Sequence, residues 1–208
     1  TWNISHSGDR VWARTIIINN GTINKTTNTK TTFVNNCQAG SFTNNGSISL
    51  DAGETYQFEN NTILNGSFIN NGNLIIASTT SFGSSLLYSG TGPITITSLG
   101  TLTLNQAMSL NTTMLVNNGT IDCNFNTIFN TPILTNTGLI KGTGTKTYPS
   151  GTTFNSSSNS TLEGSLHTIA IGAILNIENI NMKNNTALTV DGIMNWTGNV
   201  DIHNSCDI

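Results

Sequence analysis

The chain has 208 residues and a formal net charge of −3, and only 8% of its residues are charged. Seven Lys and Arg are too few for nucleic-acid binding or for docking on anionic lipid, and no apolar run approaches the roughly 20 residues of a membrane span. Ten Asp and Glu with three His supply few groups for acid–base chemistry, which argues against an enzyme.

Short aliphatic clusters recur along the whole chain, and within them apolar residues alternate with small polar ones. Examples are residues 48–50, 94–96 and 102–104. This alternation is the period of a β-strand. Asn, Thr, Ser and Gly make up about half of the chain and are poor helix formers. Because regularly placed aliphatic residues also argue against disorder, the sequence predicts an all-β protein.

The first 14 residues differ from the rest, because two Trp and two Arg interrupt the polar pattern. These residues are Trp2, Arg10, Trp12 and Arg14. A Trp at the end of a stack of strands covers more apolar area than any other side chain. We expect residues 1–14 to form a partial cap on a single domain that spans residues 1–208.

From residue 15 onward one motif returns: a large apolar residue, any residue, Asn-Asn-Gly, a small polar residue and an aliphatic residue. The clear copies are 17–23, 42–48, 68–74 and 115–121. Weaker copies surround Gly100, Gly138, Gly172 and Gly192. Successive glycines of the motif lie roughly 19 to 34 residues apart, which predicts a coil of strands with loops of unequal length.

Residues at fixed distances from each motif glycine form two apolar columns, four residues before it and two residues after it. Fifteen of these sixteen residues are large and apolar, and Thr168 is the exception. The apolar members are Ile17, Ile23, Phe42, Ile48, Phe68, Leu74, Ile96, Leu102, Leu115, Ile121, Leu134, Ile140, Ile174, Leu188 and Met194. Stacking the copies about 4.8 Å apart turns each column into one inner row. We therefore predict a single-stranded parallel β-helix of about eight rungs.

An asparagine column lies two residues before the motif glycine. Its members are Asn19, Asn44, Asn70, Asn117 and Asn136. Asn fits a corner there, since stacked amides can bond one another from rung to rung, and the glycine indicates positive φ or close backbone approach. The competing interpretation is a hairpin, because Asn-Gly is also a strong hairpin signal. The matching columns of successive copies favour the coil.

Two later regions depart from the motif. Residues 148–160 contain Pro-Ser-Gly and a run of Ser, so we expect residues 141–164 to form a long loop or an irregular rung. Residues 200–208 alternate as if another strand were in progress. Because an uncapped solenoid exposes unpaired backbone, we expect further rungs of the same polypeptide or end-to-end stacking of identical chains.

The Asn-Gly-rich copies across residues 15–208 resemble the β-helix repeats of secreted bacterial adhesins of the filamentous haemagglutinin and autotransporter passenger type. The resemblance implies a right-handed coil. It also implies a structural or adhesive role in the extracellular space or at the cell surface.

Many parallel β-helices cleave polysaccharides, which requires two carboxyl groups about 5–10 Å apart. The sequence contains no Asp-Asp pair and no motif of the polygalacturonase or pectate lyase kind. Asp51 and Glu54 are close together, but Asp-Ala-Gly-Glu is typical of a turn. We assign no catalytic, cofactor-binding or metal-binding residue.

The remaining charged and reactive side chains have structural interpretations. Asp122 and Lys141 share an outward column and predict a surface ion pair. Each His is expected to be structural or exposed, since His6, His167 and His203 lack partners at metal-ligand spacing. The odd set of Cys37, Cys123 and Cys206 allows at most one disulfide, and Cys123 is expected to face inward as a small hydrophobic residue.

Three classes of function remain open. The first is an extracellular structural or adhesive solenoid without a cofactor, which contacts further rungs, identical chains or surface glycans. The second is a β-helix that binds or cleaves carbohydrate. The third is ice binding, although only one of the five segments aligned for it is Thr-x-Thr: 22–24, 47–49, 73–75, 101–103 and 120–122.

Overall fold

The computed structural model describes residues 2–4, 10–13, 16–25, 30–34, 41–59, 61–157, 160–203 and 206–207. This part of the chain forms 28 β-strands and no helix, which confirms the all-β prediction. As far as the twenty-third strand, each strand pairs in parallel with the strand three places further along, with one exception. Since a turn therefore contains three strands, the coil has three faces. The strand Leu87–Ser89 is not paired with the strand Met108–Asn111 that follows it one turn later, so the face that contains both consists of two five-stranded sheets.

The strands are numbered along the chain, and every third strand shares a face. Face 1 contains β1 (Trp2–Ile4), β4 (Thr22–Lys25), β7 (Ser47–Leu50), β10 (Ser67–Asn70), β13 (Leu87–Ser89), β16 (Met108–Asn111), β19 (Thr127–Asn130), β22 (Lys146–Tyr148), β25 (Leu166–Ile169) and β27 (Ala187–Val190). Face 2 contains β2 (Arg10–Ala13), β5 (Lys30–Val34), β8 (Thr55–Phe58), β11 (Asn73–Ile76), β14 (Ile94–Ile96), β17 (Leu115–Asn117), β20 (Ile133–Asn136) and β23 (Thr153–Ser156). Face 3 contains β3 (Ile16–Asn19), β6 (Ser41–Asn44), β9 (Asn61–Leu64), β12 (Thr79–Phe82), β15 (Thr101–Leu104), β18 (Thr120–Cys123), β21 (Leu139–Lys141) and β24 (Thr161–Glu163). The long strands β26 (Ile174–Lys183) and β28 (Ile193–Ile202) each run along faces 2 and 3.

The stack is the parallel β-solenoid that the repeats predict. Across residues 41–203 the chain completes about eight turns, and β1–β5 continue the pairing at the N-terminal end. Because neighbouring parallel strands lie about 4.8 Å apart, eight turns form a rod about 40 Å long.

Alternating burial along the strands produces the core. Strands such as β6, β7, β8 and β15 bury every second side chain. Aromatic rings stack inside the coil both within and between faces. The ring centroid of Tyr148 lies 5.3 Å from that of Phe129 on the same face and 4.8 Å from that of Phe154 on face 2. The predicted inward residues Phe42, Ile48 and Leu102 are fully buried, as expected for inner rows.

The motif copies do not stack in one column, contrary to the sequence alignment. Gly21 and Gly46 lie between faces 3 and 1, Gly72 lies between faces 1 and 2, and Gly119 and Gly138 lie between faces 2 and 3. The post-glycine residue Ile48 consequently pairs with Phe68, which precedes the next glycine. The motif specifies a corner, and a turn has three corners that can each accept it.

One copy of the motif, around Gly172, is also shifted by one residue relative to the expected inward positions. Gly172 adopts a φ of +82°, whereas Gly119 and Gly138 lack positive φ. Ala173 and Leu175 then face inward, so that Ile174, expected in the core, lies on the outward side of β26. The register is recovered one turn later, since Leu188 is buried and Met194 pairs with Leu175.

The asparagine column is likewise divided among three corners, but the predicted bonds between stacked amides are present within a corner. Nδ2 of Asn19 donates to Oδ1 of Asn44 at 2.7 Å, and Nδ2 of Asn117 donates to Oδ1 of Asn136 at 2.7 Å. Asn70 instead donates to the carbonyl oxygen of Gly92 at 3.1 Å.

Close backbone approach explains the motif glycine. A Cβ at Gly138 would collide with the carbonyl oxygen of Gly119 on the turn below, and a Cβ at Gly46 would collide with that of Gly21. Of the two expected reasons for glycine, these positions show close approach.

Of the two alternatives expected for residues 141–164, a long loop or an irregular rung, the strands of this segment exclude the long loop. This segment contains the regular strands β22, β23 and β24, which pair with strands on both sides, although residues 158–159 lie outside the described residues. The Gly-to-Gly interval is long because the intervening corner uses Ser160 in place of Asn-Gly, where Ser160 Oγ accepts a hydrogen bond from Asn136 at 2.5 Å.

Only part of the expected N-terminal cap is described. Within residues 1–14, β1 pairs with β4 and β2 pairs with β5, so the backbone of both strands belongs to the stack. Arg14, His6 and Cys37 lie outside the described residues.

Candidate functional site

Four charged residues stack on one outward column of face 3, although charge is rare in this chain. Asp122 pairs in register with Lys141, and Glu163 pairs with Lys183. The four follow one another on successive turns with alternating sign. Nζ of Lys141 lies 3.4 Å from Oδ2 of Asp122, which confirms the predicted surface ion pair. Such a partly exposed pair contributes under about 1 kcal/mol.

The corner beside this column is built from residues with positive φ. Gly142 (φ +106°) begins one turn, Gly164 (+64°) and Ser165 (+58°) the next, and Asn184 (+52°) and Asn185 (+60°) the third. Three non-glycine residues in the left-handed region are uncommon in a stretch of this length. Nδ2 of Asn184 donates to Oε1 of Glu163 at 2.6 Å, which ties this corner to the charged column.

A buried lysine holds the corner from inside. Lys146 is fully buried, and its Nζ donates to the carbonyl oxygens of Gly142 (2.5 Å) and Gly164 (3.0 Å) and to Oγ of Ser165 (2.9 Å). Three acceptors match the three donors of an ammonium group. Burial lowers the pKa of Lys146, while the nearby Cys123 and Asp122 act in the opposite direction.

The positive-φ residues and three residues of the charged column line an open cleft of about 490 Å³, which we call the charged corner. Its lining residues are Asp122, Lys141, Gly142, Thr143, Glu163, Gly164, Ser165, Asn184 and Asn185. The volume lies within the range of small-molecule sites. Carboxylates, an ammonium group, amides and hydroxyls can together exchange hydrogen bonds with a ligand that is rich in hydroxyl groups.

Behind the charged corner, polar side chains continue into the core. His167 is fully buried, and its Nδ1 lies 3.0 Å from the hydroxyl oxygen of Tyr148, while no described residue forms a hydrogen bond with its Nε2. Burial, with a smaller contribution from the Lys146 charge, lowers the pKa of His167 to about 3. Burial likewise raises the pKa of the Cys123 thiol to about 11, so the group is a neutral, buried thiol as predicted.

The other sequence candidates are dispersed. Asp51 and Glu54 form a turn as predicted, in which the Asp51 N–H donates to Oε2 of Glu54 at 3.0 Å. His203 is exposed and lies 2.8 Å from Oδ1 of Asn181. Cys123 and Cys206, the two described cysteines, are both free. Within the described ranges no three His, Cys, Asp or Glu side chains converge on a common point, and no helix could cross a membrane.

The five segments aligned for ice binding do not form one array. Residues 22–24 and 47–49 lie on face 1, residues 73–75 on face 2, and residues 101–103 and 120–122 on face 3. Face 3 does align Thr79, Thr101 and Thr120 in one outward column.

Sequence reasoning missed the charged corner except for its one ion pair. Asp122, Lys141, Glu163 and Lys183 are spaced by 19 to 22 residues, close to the length of one turn, and that spacing was the available signal. Lys146 had no such signal, because its acceptors are backbone carbonyls that only folding brings together.

No protein-family model matches the chain, and no curated protein or solved structure matches it. Arguments about function therefore rest on the geometry of the fold and of the charged corner.

Proposed function

We propose that this chain is a structural and adhesive β-solenoid of an extracellular surface. The observation that carries the proposal is the continuous inner row, in which each turn buries its apolar side chains only against the turns next to it. A rod of this kind grows by adding turns without changing its cross-section, which suits a spacer or fibre.

The outward faces support the same role. Most outward positions are Ser, Thr or Asn, and amide ladders such as Asn155–Asn176–Asn195 link successive turns on the surface. A long surface that is rich in hydrogen-bonding groups and carries few charges can form many weak contacts with a polar partner such as a surface glycan, because few fixed charges have to be matched.

Antibodies raised against the folded chain test location and adhesion together. We expect them to label intact cells of the source organism, and their Fab fragments to reduce attachment of those cells to surfaces. Labelling that appears only after the cells are permeabilised would contradict the proposal. Fab fragments against an unrelated surface protein are the control.

The charged corner favours one alternative, a carbohydrate-binding or carbohydrate-cleaving β-helix. Asp122 and Glu163 lie two turns apart, about 10 Å along the stack, on the wall of the cleft. Glycan binding that Asp122→Asn and Glu163→Gln weaken, and that Asp191→Asn at another corner leaves unchanged, would support this alternative. Release of reducing ends from the bound glycan would identify cleavage.

A further inference from the structure

The chain contains five Asn-Gly pairs, which begin at Asn20, Asn45, Asn65, Asn71 and Asn118. An asparagine side chain converts to a carboxylate most readily before glycine, because no Cβ hinders attack by the glycine nitrogen. The reaction needs a glycine N–H that water can reach and that is not held in a hydrogen bond. It is faster when a donor stabilises the asparagine Oδ1 as negative charge develops there.

The glycine N–H is tied or buried in four of the five pairs. The N–H groups of Gly46 and Gly66 donate to backbone carbonyl oxygens of the turn below, at 2.9 and 3.0 Å. That of Gly21 donates to Oδ1 of Asn19 at 3.1 Å. Gly72 is buried, so that water does not reach its N–H. In these pairs the folded backbone restrains the nucleophile.

The pair Asn118-Gly119 meets all three conditions. Asn118 is exposed and Gly119 is partly exposed, and no described residue accepts a hydrogen bond from the Gly119 N–H. Oγ1 of Thr137, one turn further along, donates to Oδ1 of Asn118 at 2.8 Å. Asn20 and Asn45 also accept a side-chain hydrogen bond at Oδ1, but the N–H of the following glycine is tied in each.

We propose that Asn118 is a site of spontaneous deamidation in the folded chain. Hydroxide removes the proton of the Gly119 N–H, a bond forms between this nitrogen and Cγ of Asn118, and the Cγ–Nδ2 bond breaks. The leaving nitrogen takes up a proton and departs as ammonia. Water then opens the succinimide ring at either of its two carbonyl groups, which gives aspartate or isoaspartate at position 118.

The isoaspartate product disturbs the stack, because this corner is bonded to the turns on both sides. The Asn118 N–H donates to the carbonyl oxygen of Ile96 at 2.9 Å, and the carbonyl oxygen of Gly119 accepts from the Leu139 N–H at 2.8 Å. Isoaspartate adds one methylene group to the main chain between these two bonds. The modified chain therefore gains a negative charge and loses stability, and the modified fraction increases with the age of the rod.

Peptide mass spectrometry of the folded 208-residue chain tests the proposal. The chain is incubated at neutral and at mildly alkaline pH, and the conversion of amide to carboxyl is followed at each Asn-Gly pair. We expect Asn118 to convert first, and faster at the higher pH because base removes the Gly119 proton. In the chain unfolded by denaturant, the five pairs should convert at similar rates, since the ranking depends on the fold.

Two variants test the role of the hydrogen bond. Thr137→Val keeps the shape of the side chain but removes the donor, and it should slow the conversion of Asn118 about fivefold in the folded chain and not at all in denaturant. Thr135→Val, at an outward position of the same turn, should leave the rate unchanged.

Three results would overturn the inference. The first is conversion of any other Asn-Gly pair ahead of Asn118 in the folded chain. The second is the same ranking of the pairs in the folded and the unfolded chain, because the fold would then not select the site. The third is an equal rate in Thr137→Val and Thr135→Val, because the Thr137 hydroxyl would then not assist the attack.

Discussion

His167 should make the stability of the solenoid depend on pH in a range where most other groups do not titrate. In the unfolded chain its pKa is near 6.5, and in the folded chain burial lowers it to about 3. The folded state therefore binds fewer protons than the unfolded state between these values. The contribution of neutral His167 to the free energy of unfolding is therefore fully present above pH 6.5, and it is lost as the pH falls toward the pKa of the folded state.

The size of the effect follows from the two pKa values. Between pH 7 and pH 5 the linkage relation gives a loss of about 2 kcal/mol in the free energy of unfolding from this residue. At pH 5 most carboxylates with ordinary pKa values are still ionised, so their contribution to the slope is small. Chemical denaturation followed by circular dichroism at both pH values measures the loss.

Two variants isolate the residue. His167→Phe keeps a ring beside Tyr148, whose centroid lies 6.1 Å from that of His167, but it has no proton to gain. We expect this variant to lose about 2 kcal/mol less between pH 7 and pH 5 than the parent chain. His203→Gln, at an exposed position, should retain the parental loss. An unchanged pH dependence in His167→Phe would refute the burial argument.

Three further substitutions test the corners and the inner rows. Gly138→Ala should cost about 2–3 kcal/mol because its Cβ meets backbone one turn below. Gly21→Ala should stay within about 0.5 kcal/mol, because the nearest described atom to its added Cβ is 3.9 Å away. Leu102→Asp should prevent folding by placing a charge in a dry row, while outward Thr101→Asp should be tolerated. Lys146→Met should cost about 3 kcal/mol because it removes the ammonium group that donates to two partly buried carbonyl groups.

Chemical denaturation of each variant measures its free energy of unfolding and so tests these three expectations. Equal losses of unfolding free energy in Gly138→Ala and Gly21→Ala would contradict close backbone approach as the reason for glycine in the motif. Folding of the Leu102→Asp variant would contradict the inner row. For Lys146→Met the matched control is Lys141→Met in the surface ion pair, which should cost under about 1 kcal/mol. Equal effects of the two lysine substitutions would contradict a structural role for the buried ammonium group.

Local chemistry made the corner motif and its inward neighbours predictable. Asn-Asn-Gly fits a tight corner, and alternation then places residues such as Leu115 and Ile121 inward whichever corner is used. The sequence did not show which corner each copy occupies. Gly46 and Gly72 are one turn plus one corner apart, and only pairing with neighbouring strands distinguishes this from a longer turn.

The charged corner was less predictable because its parts meet through stacking. Asp122 and Lys141 were recognised since each lies three residues after a motif glycine, whereas Glu163 lies in a turn without Asn-Gly. Lys146 alternates correctly with the inward Tyr148, but its charge argued for an outward position. Its burial depends on the carbonyl groups of Gly142 and Gly164, which are brought together by the positive-φ corners of two successive turns.

The distance between spin labels at Thr43 and Lys183, after replacement of the native cysteines by alanine, tests the solenoid most directly. Thr43 and Lys183 occupy one outward column of face 3, separated by seven turns through Ile63, Ser81, Thr103, Asp122, Lys141 and Glu163. Seven steps of about 4.8 Å predict a narrow distribution near about 34 Å in pulsed electron paramagnetic resonance. A mean below about 20 Å, or a broad distribution without a maximum, would contradict the parallel stack.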